Sequence, residues 1–454
     1  MTPNKVKNAP YLGSGLMFGS AVVASVSYFI LWFQTFYFGK STSAILSFKV
    51  DDGWCPTPGS GFGAHCWGDY QTPLLGLGMP NQWEEGSAYP PITTIIFKPF
   101  AFITNNLQSN RFGLVCYLAA GMAAMLVTIF YAAKRVKSNR LLFMVLFGVL
   151  ATPIAIAFDR GNLVMFAVPV FFAFAVSVLE KNWNRTVFFV VLATVIKPQF
   201  ALLVLPMFAW RKWYHIFYAL ILSLLVHSIG FLLLTNDPVR VFNQWYDFVT
   251  VWQSGLIQDG MGGPNFSFVQ SIYDWVKIVE EMFLENSTRL SDFLYVHGQS
   301  AVYTGVLLLF VAVVFLGKHF SQLGILSCSL ALASLVTGIS WAYYQVFALV
   351  IAGLIVRSDP QPSGVLGEDL LDREIREGSL GRFTGRALIT ATIATCFNLP
   401  IGSDALPFQH TYSGKSVSSA IVAPLWGLVI FLVIKDALRK MYHEKNIDKV
   451  NMNA

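Results

Sequence analysis

The chain has 454 residues, of which 55% are hydrophobic, 15% aromatic and only 12% charged, with a formal net charge of +6 and a mean hydropathy of +0.57. A soluble domain carries about 25% charged residues and 45–50% apolar ones, so the composition excludes a soluble protein and a disordered chain. Five cysteines are too few for a disulfide framework, and Cys55 and Cys66, in one polar stretch, are either a pair or two free thiols.

Apolar runs of about 17–25 residues predict membrane helices, because a span must satisfy its own backbone groups. In chain order they fall at 13–38, 112–133, 141–158, 163–179, 213–235, 301–317, 322–339, 343–356, 387–401 and 417–434. The first is too long for the apolar core of a signal peptide and lacks a small-residue cleavage motif, which keeps it in the mature chain. A further run, 186–210, is interrupted by Lys197-Pro198. Pro198 removes a backbone donor and Lys197 sets a charge mid-run, so two half-length helices in a hairpin fit better than one span. The reading is an all-α polytopic membrane protein, one domain over 1–454, with about twelve crossings.

Lys and Arg are retained on the cytoplasmic side. With both termini and the stretch 357–386 inside, 21 of the 31 basic residues lie inside, and the balance holds only if Lys197 is an outer hairpin tip. Two long stretches are then outside, 39–111 and 236–300. Inside, the i,i+4 pairs Asp369/Arg373 and Asp372/Arg376 predict a short solvated helix.

Polar groups at membrane depth are costly, so those that persist are informative. On the outer side they gather at Gly68-Asp69-Tyr70, Ala88-Tyr89-Pro90-Pro91, Asp159-Arg160-Gly161-Asn162, Lys197 and Ser340-Trp341 with Tyr343-Tyr344. Asp69 at the mouth of a membrane cavity is a candidate general base, since partial desolvation raises a carboxylate toward the useful range; the alternative is a solvated loop acid or a helix cap. Pro90-Pro91 sets an extended entry to the apolar stretch 92–103, where Lys98 points to a helix along the interface. Arg160 and Lys197 suit a phosphate at the membrane surface, or else an internal pair with Asp159 and a snorkelling helix end. Tyr343-Tyr344 fit either sugar stacking or interface anchoring. The seven histidines have no metal-ligand spacing, no cofactor motif is present, and basic and aromatic residues do not interleave as nucleic-acid binding requires.

Taken as a series, Gly68-Asp69-Tyr70, Ala88-Tyr89-Pro90-Pro91, Asp159-Arg160-Gly161-Asn162, Ile196-Lys197-Pro198, Leu205-Pro206, Trp210-Arg211-Lys212-Trp213 and Ser340-Trp341 resemble the family 87 membrane glycosyltransferases of the GT-C class. The resemblance implies a GT-C-like bundle with a large first extracytoplasmic loop. It implies transfer of a sugar, mannose or arabinofuranose, from a polyprenyl-phosphate donor to a glycolipid or cell-envelope polysaccharide outside the cytoplasmic membrane. The family's loop-one base falls on Asp69, with Asp52 of the neighbouring acidic pair in reserve, and its Lys-Pro motif falls on Lys197-Pro198. Tyr70, Tyr89, Asn162, Trp341, Tyr343 and Tyr344 are then the expected substrate-binding set. Many mannosyltransferase-like members carry His after Ser-Trp, whereas Tyr343-Tyr344 looks more like the arabinofuranosyltransferase branch. A flippase of a lipid-linked sugar is the rival reading; it shares the broken helix but needs a polar path across spans that are nearly bare of charge. A structural scaffold has no need of Asp69, Arg160 and Lys197 on one face.

Overall fold

The computed structural model of the chain describes residues 69–70, 89–138, 140–141, 151–259, 267–283, 289–338, 342–397 and 417–452, with residues 15–16, 19–26, 29, 148 and 340 besides. Helices dominate it. In chain order they are α1 (Thr94–Leu107), α2 (Asn110–Ala133), α3 (Thr152–Arg160), α4 (Ala167–Leu179), α5 (Trp183–Ile196), α6 (Leu205–Ala209), α7 (Trp213–Leu234), α8 (Pro238–Asp259), α9 (Phe268–Phe283), α10 (Arg289–Leu316), α11 (Gln322–Leu335), α12 (Phe347–Ile355), α13 (Leu370–Arg376), α14 (Arg382–Cys396) and α15 (Val417–Met452). Among the described residues the strands are β1 (Ser358–Pro360) and β2 (Leu366–Asp369), an antiparallel hairpin with Ser358 opposite Asp369.

Four stretches among the described residues are long and apolar enough to cross a membrane: Arg111–Ala133, Trp213–Leu234, Val296–His319 and Ile421–Ile447. They present Phe130, Phe217, Leu233, Leu307, Phe315 and Phe431 outward, an apolar rim that water would not tolerate and lipid does. Of the shorter apolar helices, α4, α11 and α12 lie within. Every residue of α11 from Leu323 to Leu335 is buried, against α12, α15 and the turn Pro198–Val204. Fourteen residues reach about 21 Å, short of the roughly 30 Å hydrocarbon layer, so these helices depend on their neighbours rather than on lipid.

The Lys197-Pro198 break forms the expected hairpin. α5 ends at Ile196, Lys197 is extended (φ −152, ψ 127), and the chain returns through a 3-10 turn, Pro198–Val204, into α6. Trp183 at the start of α5 and Trp210 just past α6 close the open end, with ring centroids 5.6 Å apart. Two other interior helices also begin with 3-10 turns: Leu163–Phe166 leads into α4 and Ala342–Val346 into α12. These three N-terminal ends converge on one face of the molecule.

Several boundaries differ from the sequence expectation. α10 starts at Arg289, twelve residues before the predicted span, because Glu280 of α9 accepts the N–H groups of Leu290 and Ser291 and so caps the helix. α14 starts at Arg382, since Asp436 of α15 accepts from Gly381 N–H and Thr384 hydroxyl. α15 runs to Met452, well beyond residue 434, and keeps Ala437 buried. The predicted i,i+4 pairs do not form. Asp369 binds Arg140 and Ser358, Arg373 binds Asp359, and Arg376 binds Glu368; the β-hairpin brings these partners closer than the helix offers. More than half of the predicted span 13–38, and residues 142–147 and 149–150 of the predicted span 141–158, lie outside the described residues.

Candidate active site

Asp69 and Tyr70 lie in helical backbone over an aromatic floor. The Tyr70 ring is fully packed, 4.5 Å from Tyr117 and 6.3 Å from Phe97, and Phe97 in turn lies 5.8 Å from both Tyr117 and Tyr89. These rings, from α1, α2 and the chain before them, set the height of the Asp69 carboxylate. Tyr70 itself is beneath the carboxylate in the core rather than open to solvent.

Arg160 closes α3, and Gly161 follows it with φ 62, a left-handed C-cap that suits glycine. That turn makes Asn162 the N-cap of the next segment: its Oδ1 accepts the Val164 N–H at 2.9 Å. With the oxygen so occupied, its amide group faces the site and donates to Asp69 Oδ2 at 2.8 Å and to the Tyr89 hydroxyl at 3.3 Å. Arg160 Nη2 meets Asp69 Oδ1 at 3.3 Å, both side chains about one-fifth exposed. The carboxylate is thus held from two sides, with a path left to solvent. Burial, reinforced by the Asp69 charge, pushes the Tyr89 phenol well up, so it stays neutral.

The hairpin tip joins from the third direction. Breaking the helix at Pro198 leaves carbonyls of α5 without helical partners. Thr93 Oγ1 donates to the Val195 carbonyl at 2.6 Å, and His227 Nε2 meets the Thr194 carbonyl at 3.0 Å. The tip is thereby tied to the turn Pro91–Thr93 and to α7. Lys197 Nζ then lies 4.6 Å from the Tyr89 ring centre and 5.1 Å from that of Tyr344, which is packed against Tyr343 at 4.8 Å. Two ring faces attract the ammonium, and no carboxylate among the described residues neutralises it.

Of the residues the sequence singles out, Asp69, Tyr89, Arg160, Asn162, Lys197, Tyr343 and Tyr344 therefore converge, with Tyr70 below them. Asp52, Trp341, Cys55 and Cys66 lie outside the described residues. Sequence reasoning missed Tyr117 and Phe97 as the floor and Thr93 as the cap of the hairpin tip; single aromatic or Thr residues in apolar runs give no local signal for such roles.

The sequence pattern of Glycosyltransferase family 87 matches residues 88–338, more than half of the chain. The chain belongs to this family. It is accordingly a membrane glycosyltransferase, and the matched region carries Tyr89, Arg160, Asn162 and Lys197, while Asp69 precedes it and Tyr343-Tyr344 follow it. No curated protein and no solved structure matches the chain. Among the described residues no group of His, Cys, Asp and Glu is arranged to hold a metal ion.

Proposed function

We propose that the enzyme transfers a sugar, mannose or arabinofuranose, from a polyprenyl-phosphate sugar to a hydroxyl of a glycolipid or envelope polysaccharide, at the outer face of the cytoplasmic membrane. The observation that carries this reading is the continuous contact series from Asp69 through Asn162 and Tyr89 to Lys197, with Arg160 on the same carboxylate. It sets one acid beside two cations at the edge of an apolar bundle.

In the reaction, Asp69 takes the proton of the acceptor hydroxyl as its oxygen bonds to the anomeric carbon. The bond from that carbon to the phosphate oxygen breaks, and the electron pair leaves with the lipid phosphate. Lys197 meets the charge that develops there. The N-terminal ends of the three helical segments starting at Leu163, Pro198 and Ala342 add their positive dipole ends. Arg160 orients Asp69 and reaches toward the same phosphate. Tyr89, Tyr343 and Tyr344 frame the sugar, with Trp341 and Tyr70 in support. Asp52 is the reserve base. A lipid phosphate is the fitting leaving group because fixed cations stabilise it without a metal, and outer-face chemistry has no nucleotide sugar to draw on.

The test is incubation of the purified enzyme with a panel of polyprenyl-phosphate sugars, followed by measurement of released lipid phosphate. Wild type should release it with one sugar, and Asp69→Asn should lose the release while retaining donor binding. Turnover of Asp69→Asn near wild type removes Asp69 from the role. Donor that crosses a bilayer uncleaved favours the flippase.

A further inference from the structure

A second polar site lies at the opposite end of the helices that build the first. From Asn162 the chain runs through 17 helical residues, 163–179, to Glu180, about 25 Å at helical rise. From Tyr344 it runs through α12 to Arg357. There a cavity of about 190 Å³ is lined by Glu180, Gln322, Arg357, Asp359 and Arg373. A single water needs only about 10–15 Å³ of such space.

The charges around this cavity do not balance. Asp359 serves two guanidinium groups, Arg373 at 2.9 Å and the Nε of Arg357 at 4.0 Å. Glu180 is shared between Arg185, 3.8 Å away, and Arg357, whose charge it also favours, while Arg135 adds positive charge near Arg357, so two carboxylates face four guanidinium groups. Arg357 is only 7% exposed, and its Nη1 has no hydrogen-bond acceptor among the described residues. A buried guanidinium nitrogen without an acceptor is costly, and the surplus positive charge rules a cation unsuitable as the missing partner. A tetrahedral anion with several acceptor oxygens fits two guanidinium forks across a cavity of this size.

We infer that this cavity binds a phosphate group between Arg357 and Arg373, as a site separate from the Asp69 centre and on the other face of the bundle. Its source is either a soluble phosphate or the head group of an anionic lipid, both of which present the same chemistry. The inference rests on the cavity's own residues and does not depend on Asp69 being a base.

The experiment uses the full-length protein with two probes. Inorganic phosphate is titrated into detergent-purified protein by calorimetry, against chloride at equal ionic strength. Separately, the protein is reconstituted in nanodiscs of phosphatidylcholine with or without phosphatidic acid, and retained lipid is counted by native mass spectrometry. A saturable response to phosphate assigns the soluble source, and retention of phosphatidic acid alone assigns the lipid. In either case Arg373→Gln should weaken the binding by about 10- to 100-fold. Arg357→Lys, which keeps the charge but loses the fork, should weaken it less. Asp69→Asn and Lys197→Met should leave it unchanged. Absence of binding by both probes overturns the inference, as does binding that Lys197→Met abolishes and Arg373→Gln does not.

Discussion

Asn162→Asp changes one atom of the site and isolates its electrostatics. The new side chain keeps the oxygen that accepts the Val164 N–H, so the cap and the backbone after α3 persist. It replaces the amide donor with a second carboxylate oxygen, 2.8 Å from Asp69 Oδ2. At an effective dielectric of about 20, two unit charges that close repel by roughly 6 kcal/mol. Arg160 at 3.3 Å on the other Asp69 oxygen offsets part of this, on the order of half. The remaining 3 kcal/mol or so opposes the ionised site and corresponds to about 100-fold in rate. Lipid-phosphate release by the variant should therefore slow by about 100-fold, with thermal unfolding near that of wild type. Initial rates at saturating donor measure this. A variant that folds normally and releases lipid phosphate at the wild-type rate would refute both the role of Asp69 and the hydrogen bond that holds it.

Three other substitutions probe the rest of the molecule. Lys197→Met keeps the bulk against Tyr89 and Tyr344 but removes the charge, so donor KM or kcat should worsen by about 10- to 100-fold, with partial recovery in Lys197→Arg; steady-state kinetics with unchanged kcat/KM would exclude the phosphate contact. Gly230→Ala places a Cβ 2.8 Å from the Ile92 backbone nitrogen and 2.7 Å from its Cβ, and backbone cannot yield as a side-chain tip does. The variant should lose about 1–3 kcal/mol of stability and displace the turn Pro91–Thr93 that follows Tyr89; an unaltered melting temperature in detergent would contradict that packing. Glu374 accepts the Leu323 N–H at the start of α11, and burial pushes its carboxyl up to about 7 from the usual 4.5. Because the folded state holds this proton more tightly, the associated stability is complete below about pH 4.5 and is lost as pH rises through 7, on the order of 3 kcal/mol in all. Glu374→Gln should flatten the melting temperature between pH 5 and pH 8, and equal slopes for both proteins would rule the assignment out.

The helices themselves were legible because lipid imposes a strict rule on composition and length: α2, α7 and the apolar parts of α10 and α15 stand where the runs at 112–133, 213–235, 301–317 and 417–434 place them. The hairpin was legible for a local reason, since Pro198 denies a donor and Lys197 resists burial. The early starts of α10 and α14 were not legible. Their caps, Glu280 and Asp436, belong to other helices, and a sequence window around Arg289 or Arg382 contains neither. The partners of Asp369, Arg373 and Arg376 were misread for the same reason: spacing offers i,i+4 pairs, and only the β-hairpin reveals nearer alternatives.

The candidate site divides similarly. Residue type and the expected side of the membrane were enough to single out Asp69, Arg160 and Lys197, because charge is scarce in this chain and each charge beside an apolar run needs a reason. Chemistry within reach of a phosphate follows from residue type alone. Which charge meets which does not. Adjacency in the chain offered Asp159 to Arg160, whereas folding delivers Asp69 from 91 positions away, and the Lys197 ammonium rests on rings from two distant segments. The fold decides these pairings because they depend on the hairpin tip at Lys197 meeting the starts of the segments at Leu163 and Ala342, a geometry set by packing of Tyr117, Phe97 and the buried residues of α11 and α12. Hydropathy records that such residues are apolar, but not against which helix each one closes.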